Sequence, residues 1–212
     1  MKLLSWNVRG LGKPRTRLAL KKILHLHRPQ IFFCCETKLL ARQVESVCRD
    51  FNFENCFAVD RTGMGGGLAL IWRAEVNVSI TSYSSHHIDA LVCSESGLRW
   101  RCTGIYGHPE LSQKHNTWTL MKRLASLFSY PWCCFGDFNE IMHMHEKNGA
   151  MRETWIGLPS LGKLCKAAIC RIWGVRDIPI RGQTKDTEII LLRRDWTIFC
   201  VVKIGGLIFK NL

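Results

Sequence analysis

The sequence predicts an α/β sandwich in which two packed β-sheets are flanked by helices. Short segments that are apolar throughout alternate along the chain with segments of helical periodicity. Several of the apolar segments end directly in a polar residue or a glycine turn, which is typical of buried strands. The 212 residues suffice for one domain with a sizeable core, and 47% hydrophobic with 22% charged residues is an ordinary globular composition. Mixed strands and helices of this kind favour two sheets with helices outside.

The chain begins with a predicted strand, loop and helix. Residues 2–6 are apolar enough for a short buried strand, and residues 7–12 form a loop that contains two glycines. Pro14 stands where a helix can begin, because proline is tolerated at the first helical position. The apolar residues that follow keep helical spacing up to Pro29, which ends the helix.

The remaining elements are predicted by the same two patterns. The strands are residues 31–35, 68–72, 76–83, 88–92, 100–106 and 132–135, and the helices are residues 39–51 and 118–128. We expect the runs 31–35 and 132–135 to be fully buried, because they are apolar at every position.

The charge of the chain favours a polyanionic partner. Thirty Lys and Arg residues against seventeen Asp and Glu residues give a formal net charge of +13. Residues 1–28 contain eight basic residues and no acidic one. A basic excess attracts phosphates and releases counterions on binding. Charge alone also fits a basic protein with an ordinary solvated surface.

The cysteines argue against a disulfide framework. Their number, eleven, is odd, and no Cys-x-x-Cys occurs. Two adjacent pairs, Cys34–Cys35 and Cys133–Cys134, lie inside apolar runs, so we expect small buried thiols in a reducing compartment. The closely spaced histidines of residues 25–27 and 143–145 have no cysteines at ligand spacing, and we expect no zinc site there.

The sequence also predicts no membrane partner. The most apolar late segment, residues 197–209, contains a lysine and two glycines and is too short to span a bilayer. At the start of the chain Asn7 and Arg9 interrupt the apolar residues, so no signal sequence is expected.

Three apolar strands end in residues that could build a polar site. Asn7 ends the first strand, Glu36 ends another, and Asp137 with Asn139 ends a third. Asp137 and Asn139 are two residues apart, so in an extended conformation both side chains point to one face. Oxygen donors of this kind suit Mg²⁺, and a carboxylate nearby can deprotonate water. Spacing alone leaves open that these are ordinary polar residues in turns.

Five motifs in order carry a resemblance to a known family. They are Ser5-Trp6-Asn7-Val8-Arg9-Gly10-Leu11-Gly12, Glu36-Thr37-Lys38, Gly65-Gly66-Gly67-Leu68-Ala69, Tyr106-Gly107-His108-Pro109 and Gly136-Asp137-Phe138-Asn139-Glu140-Ile141. In this order and spacing the chain resembles the endonuclease domain of plant long-interspersed-element (non-LTR, LINE-type) retrotransposons. That domain belongs to the superfamily of DNase I and the exonuclease III-like apurinic/apyrimidinic endonucleases.

The resemblance implies a fold and a reaction. The fold would be a four-layer α/β/β/α sandwich of DNase I-like type, with the site at the strand ends. The reaction would be metal-dependent hydrolysis of a DNA phosphodiester, with Mg²⁺ or Mn²⁺ as the cofactor. The resemblance also implies a role for each matching residue. Glu36 would bind the metal with the support of Asn7.

The catalytic residues implied by the resemblance are Asp137, Asn139 and Tyr106. Asp137 would position or deprotonate the attacking water, and Asn139 would hydrogen-bond the scissile phosphate and orient Asp137. Tyr106 would contact the phosphate or the leaving oxygen. Arg9 and Lys38 would contact DNA phosphates.

The resemblance covers residues 1–149 and then fades. The Asp-His pair with which the family closes is absent, and no histidine lies beyond His145. Losing a charge-stabilising group of this kind typically costs about 10²–10⁴ in rate. We expect residues 150–212 to be a degraded or truncated C-terminal part of the same domain that lacks its closing strands.

Three functions remain open from the sequence. The first is a DNA-nicking endonuclease of retrotransposon type, located inside the cell and in the nucleus. The second is a catalytically dead, basic remnant that binds nucleic acid, and it is favoured by the charge and the absent Asp-His pair. The third is a phosphatase acting on a lipid or inositol headgroup. We expect DNA to be a partner, and the sequence does not indicate which proteins the chain binds.

Overall fold

The computed structural model describes residues 1–93, 97, 99–130 and 132–139, together with the backbone of two strands at residues 189–194 and 197–203. Its elements in chain order are β1 (Lys2–Asn7), α1 (Pro14–His27), β2 (Ile31–Cys35), α2 (Ala41–Asp50), β3 (Asn55–Thr62), β4 (Gly65–Trp72), β5 (Asn77–Ser84), β6 (His87–Cys93), β7 (Arg99–Tyr106), α3 (Lys114–Ala125), β8 (Trp132–Asp137), β9 (Ile189–Arg194) and β10 (Thr197–Lys203). A single 3₁₀ turn at Leu111–Gln113 precedes α3.

The described strands form two mixed sheets. The first has the order β3-β4-β2-β1-β10-β9 and the second has the order β5-β6-β7-β8. Each sheet contains one parallel pair, β1 with β2 and β7 with β8. Helix α1 connects the first pair and α3 the second, because parallel neighbours need a crossover connection. Both pairs therefore end at a common edge, with Asn7 opposite Cys35 and Tyr106 opposite Asp137.

The space between the sheets is filled by one face of each. In β2 the side chains of Ile31, Phe33 and Cys35 point into this core, while those of the intervening residues point outward. Phe33 meets Phe135 of the second sheet edge-to-face, with ring centres 5.6 Å apart. A side chain at Gly104 would collide with the Phe33 ring, so glycine there allows the sheets to close.

Helices cover the outer face of each sheet. Leu20 and Leu24 of α1 and Val44 and Cys48 of α2 pack on the outer face of the first sheet. Met121 and Leu124 of α3 pack on the outer face of the second sheet. The result is the four-layer α/β/β/α sandwich expected from the sequence. Strands such as β2 read as continuous apolar runs because both of their faces are covered.

Several elements differ from the prediction. Strand β3 was not predicted; it is an edge strand with no fully buried residue, and its short apolar stretch is followed directly by charged residues. Helix α3 begins at Lys114, four residues before the predicted start at Trp118. Closing strands were predicted to be missing, whereas β9 and β10 extend the first sheet, with β10 antiparallel to β1. The boundary at residues 149 and 150 stays a prediction, since residues 140–188 lie outside the described part.

The outer face of the second sheet holds a buried ion pair. Arg101 and Asp89 are 1% and 0% exposed, and Arg101 Nε donates to Asp89 Oδ1 at 2.8 Å. Thr81 donates its hydroxyl to Asp89 Oδ2 at 2.5 Å, and Arg101 Nη1 donates to the Leu124 carbonyl at the end of α3. The pair thus joins the second sheet to its covering helix, as buried charges require partners.

The cysteines of the described part are free thiols. Burial raises the pKa of the Cys34 and Cys35 thiols well above the ordinary value, so both are neutral residues of the core. No helix in the described part is long and apolar enough to cross a membrane.

Candidate active site

The parallel strand ends of both sheets converge on one cluster of polar side chains. Asn7 ends β1, Glu36 follows β2, Tyr106 ends β7 and Asp137 ends β8. Asn7 is 3% exposed and Asp137 is 8% exposed, so both lie at the base of the cluster. The four strand ends are rigid because each strand is fixed in its sheet, which is how a fold places a polar site accurately.

The amide of Asn7 bridges two carboxylates from different sheets. Its Nδ2 donates to Glu36 Oε1 at 2.7 Å and to Asp137 Oδ2 at 2.8 Å. Its Oδ1 accepts the backbone N–H of Arg9 at 3.2 Å. Ionised carboxylate oxygens accept hydrogen bonds but cannot donate them. The end of the Asn7 amide that points to them is therefore its NH₂ group. Asn7 thus holds the two negative groups side by side by sharing its hydrogens between them.

Glu36 is the carboxylate that faces outward. Its side chain is 20% exposed, its Oε1 accepts the Tyr106 hydroxyl at 3.3 Å, and Lys38 Nζ lies 3.9 Å from its Oε2. Glu36 and Lys38 have φ of 53° and 56°, a left-handed conformation that few non-glycine residues adopt. Backbone hydrogen bonds from Gly10 to Glu36 and from Lys38 to Gly66 hold the segment in place.

Asp137 is oriented by the residues that follow it. Asn139 donates its backbone N–H to Asp137 Oδ1 at 3.0 Å, and its Nδ2 donates to the Gly107 carbonyl at 2.6 Å. Gly107 in turn donates its N–H to the Asp137 carbonyl at 2.7 Å. A side chain on Gly107 would collide with the Phe138 carbonyl, so only glycine permits this approach. The strand ends of β7 and β8 are therefore locked together.

The extended conformation predicted for Asp137 through Asn139 is corrected by the structure. Strand β8 ends at Asp137, and Asn139 has a left-handed φ of 52°. The two residues interact through a turn, in which the carboxylate of Asp137 accepts the N–H two residues on. They still meet in the same site, but for a different physical reason.

Tyr106 remains a neutral donor in this cluster. Burial, and next the charge of Glu36, raise the pKa of Tyr106 well above its ordinary value of 10.0. Its hydroxyl therefore keeps its proton across the physiological range. The Tyr106 backbone is paired with His86, whose carbonyl accepts the Tyr106 N–H at 2.9 Å.

The structure brings most of the predicted site residues into direct contact. Asn7, Glu36, Asp137, Asn139, Tyr106 and Lys38 are joined by the hydrogen bonds and the ion pair given above. Arg9 is exposed and joins the cluster through its backbone N–H only. The roles assigned to these residues stay predictions.

Sequence reasoning assigned no role to two residues that shape the site. Gly107 and His86 both support the segment around Tyr106. Gly107 belongs to a motif that was recognised, so its position was available as a signal. His86 lies in a Ser-Ser-His-His turn between β5 and β6, and nothing in the local pattern connects it with Tyr106.

The residues present fit a hard divalent cation at Glu36. Mg²⁺ is commonly held by one or two carboxylates together with water and substrate phosphate. Glu36 is partly exposed, and only its Oε1 is used by Asn7 and Tyr106. Among the described residues there is no group of three or more His, Cys, Asp or Glu side chains that could hold a metal by itself. Asn7 presents nitrogen to the carboxylates and so supports a metal by placing Glu36.

A family model described as the Endonuclease/Exonuclease/phosphatase family matches residues 4–160 of the chain. No curated protein matches the chain.

Solved structures with the same fold include a DNA complex and two endonucleases. D. rerio TDP2 complexed with a single-strand DNA product has a TM-score of 0.58 at 13% identity, covering 96% of this chain and 99% of that chain. An AP endonuclease from Archaeoglobus fulgidus has a TM-score of 0.52 at 17% identity, covering 66% of this chain and 57% of that chain. The endonuclease domain of TRAS1, a telomere-specific non-LTR retrotransposon, has a TM-score of 0.50 at 10% identity, covering 66% of this chain and 61% of that chain.

These likenesses show the fold alone, since the identities are low. The chain spans 57% of the length of the archaeal enzyme and 61% of the length of the TRAS1 domain.

Proposed function

Since the chain belongs to the Endonuclease/Exonuclease/phosphatase family, we propose that it is a metal-dependent phosphodiesterase that nicks DNA, of the type found in plant LINE retrotransposons. The observation that carries the proposal is the Asn7 amide, which bridges Glu36 and Asp137 at 2.7 Å and 2.8 Å. It places a partly exposed carboxylate suited to a metal beside a buried carboxylate suited to a water molecule. Hydrolysis of a phosphodiester needs these two functions next to each other.

Glu36 is the residue that would hold Mg²⁺ or Mn²⁺. When bound, the metal supplies a positive charge that polarises the phosphate. Asn7 keeps Glu36 in position, and Lys38, 3.9 Å from Glu36 Oε2, adds a positive charge on the open side.

Asp137 is the residue that would orient the water and take its proton. The water oxygen forms a bond to phosphorus, the bond from phosphorus to the leaving oxygen breaks, and the leaving oxygen takes up a proton from solvent, so the products are a phosphomonoester and a hydroxyl. The proton that the water loses goes to Asp137. Asn7 and Asn139 hold the Asp137 carboxylate by one hydrogen bond to each oxygen, so it faces the water in one orientation.

Tyr106 and Asn139 would contact the phosphate. Tyr106 keeps its hydroxyl proton, because burial and Glu36 raise its pKa, and so it can donate to an oxygen that gains charge in the reaction. Asn139 is anchored to Gly107 by a hydrogen bond. It would orient both the phosphate and the Asp137 carboxylate.

DNA is the proposed substrate because the chain is strongly basic. A net charge of +13 favours a polyanion, and Arg9 and Lys38 are exposed residues next to Asn7 and Glu36, where they could contact phosphates. The solved TDP2 complex contains a DNA product, and the TRAS1 domain is an endonuclease of a retrotransposon, which supports this choice. A nuclear location follows from the proposal, because a retrotransposon endonuclease acts on genomic DNA.

Nicking of a supercoiled plasmid tests the proposal. We expect the purified chain to produce open circles with Mg²⁺ or Mn²⁺ and none with a chelator present. Asp137→Ala and Glu36→Ala should abolish nicking, whereas Glu75→Ala, at an exposed glutamate of a loop, should leave it unchanged. Absence of nicking from a folded parent chain would refute the endonuclease proposal.

A second candidate function is a catalytically inactive DNA-binding protein. It is favoured by the formal net charge of +13. It predicts binding that weakens as salt rises, with no cleavage by the parent chain. The plasmid assay separates the two functions, because only the first requires Glu36 and Asp137.

A further inference from the structure

Two histidines that have no role in the proposed reaction stack at the edge of the site. The rings of His86 and His108 lie 3.7 Å apart between centres, at an interplanar angle of 14°. His86 precedes β6, and His108 follows β7 by two residues. Both side chains are half-buried, and among the described residues neither Nε2 atom has a hydrogen-bond partner.

His86 fixes the position of the segment that carries Tyr106. Its carbonyl accepts the Tyr106 N–H at 2.9 Å, and its Nδ1 lies 2.8 Å from the Tyr106 carbonyl oxygen. A carbonyl can only accept, so Nδ1 of His86 carries the proton and donates it. The His86 ring is also parallel to the Tyr106 ring, with centres 6.2 Å apart and an angle of 6°.

His108 is held from its other side by α3. Its backbone N–H donates to Thr117 Oγ1 at 3.0 Å, and its Nδ1 lies 3.2 Å from the same oxygen. Thr117 is 1% exposed, so its hydroxyl hydrogen needs a partner within the protein. The partner within reach is Nδ1 of His108, which accepts it. The proton of the neutral His108 ring then lies on Nε2, the atom without a partner.

Several charged groups act on His108. Burial, and next the neighbouring His86, lower its pKa; Glu110 opposes the shift and His115 adds to it. The ring is therefore neutral at neutral pH and offers a hydrogen-bond donor rather than a charge.

We propose that His108 is a further substrate-contacting residue, which donates its Nε2–H to a phosphate oxygen of the bound strand, and that His86 is its positioning residue. The inference rests on the proposed function, since it requires a nucleic-acid strand in the site. Tyr106 and His108 stack on the same His86 ring, so both rings face one stretch of a bound strand. Gly107, which lies between them, is fixed to Asp137 and Asn139.

The test compares the parent chain with three single-residue variants. His108→Phe keeps a ring that can stack on His86 but has no N–H, and His108→Gln restores a donor near the Nε2 position. His25→Phe, at an exposed histidine of α1, is the matched control for the substitution. Thermal unfolding checks that each variant is folded.

The readout is binding to a short DNA duplex in which one phosphate at a time is replaced by a neutral methylphosphonate. We expect His108→Phe to bind the unmodified duplex about 10- to 100-fold more weakly, the usual effect of a hydrogen bond to a charged group. At one phosphate position, we expect replacement by a methylphosphonate to weaken DNA binding by the parent chain by a similar factor. The same replacement should not weaken binding by His108→Phe any further. His108→Gln should recover most of the affinity.

The positioning role of His86 has its own readout. His86→Phe should lower kcat with little change in KM, because Tyr106 loses its support, and His86→Asn should recover kcat by restoring a donor near the Nδ1 position. Equal losses in both variants would refute the role of His86.

The outcomes separate this inference from the proposed function. Equal affinity of His108→Phe and the parent chain, or equal sensitivity of both to every methylphosphonate, overturns the contact while leaving nicking untouched. A parent chain that binds DNA without nicking it refutes the endonuclease, yet the methylphosphonate comparison still decides the role of His108. A parent chain that does not bind DNA overturns both.

Discussion

Replacing Asn7 by alanine tests the central feature of the site, the amide shared by two carboxylates. The side chain is 3% exposed and donates to Glu36 and Asp137 at 2.7 Å and 2.8 Å. Alanine removes both donors and leaves the carboxylates facing each other. We expect the variant to fold, because water can hydrate both carboxylates, and to lose its activity.

The magnitude follows from two contributions. Each hydrogen bond to a charged group contributes about 1.5–3 kcal/mol. The two carboxylate oxygens lie no farther apart than the sum of these two distances, about 5.5 Å, so their mutual repulsion at an effective dielectric constant of 20 is at least about 3 kcal/mol. Repulsion of this size moves the two carboxylates apart. A displacement of about 1 Å costs about 10²-fold in rate, which we take as the minimum loss.

The assay is the initial rate of plasmid nicking as a function of Mg²⁺ concentration. We expect a rate at least about 10²-fold lower than that of the parent chain. Asn77→Ala, at an exposed asparagine that begins β5, is the control. A rate equal to that of the parent chain would refute the bridging role of Asn7.

Three other residues give further predictions. Asp89→Ala should lower the free energy of unfolding by about 3–5 kcal/mol, since Arg101 would be left buried without its counter-charge; urea titration measures this, and a loss below about 1 kcal/mol would contradict it. Burial lowers the pKa of His87 from 6.5 in the folded state, so folding favours the neutral ring. Stability is therefore full above pH 6.5 and falls as the pH drops below 6.5 towards the folded-state pKa. His87→Gln should therefore flatten the decline of Tm with acid, and an unchanged decline would count against the assignment. Tyr106→Phe should slow nicking about ten-fold by removing one donor, and because the pKa of Tyr106 is raised, the parent rate should show no loss from tyrosine ionisation up to pH 10.

The candidate site was predictable where a strand pattern and a motif coincided. Asn7, Glu36 and Asp137 each follow an apolar run, and such a run ends where the sheet ends. The pattern therefore gave the edge at which each side chain lies. It could not give their distances, because the contacts join residues far apart in the chain, such as Asn7 and Asp137, which are 130 positions apart.

The contacts made by turns were not predictable in the same way. Asn139 was expected on the same face as Asp137 through an extended strand, and it reaches Asp137 through a left-handed turn. His86 supports Tyr106 because β6 and β7 are neighbours in the sheet, and strand register is not visible in the sequence of either strand alone.

The sequence by itself determined most of the strands and helices, their arrangement as two packed sheets with helices outside, and the polar residues that end the buried strands. These depend on local periodicity and on which segments are too apolar to face water. Only the tertiary structure decided that Asn7 shares its amide between two sheets, that Gly107 locks β7 to β8, and that His108 stacks on His86. Such contacts depend on strand register and on distances of a few ångströms between distant segments, which are fixed only when the two sheets pack together.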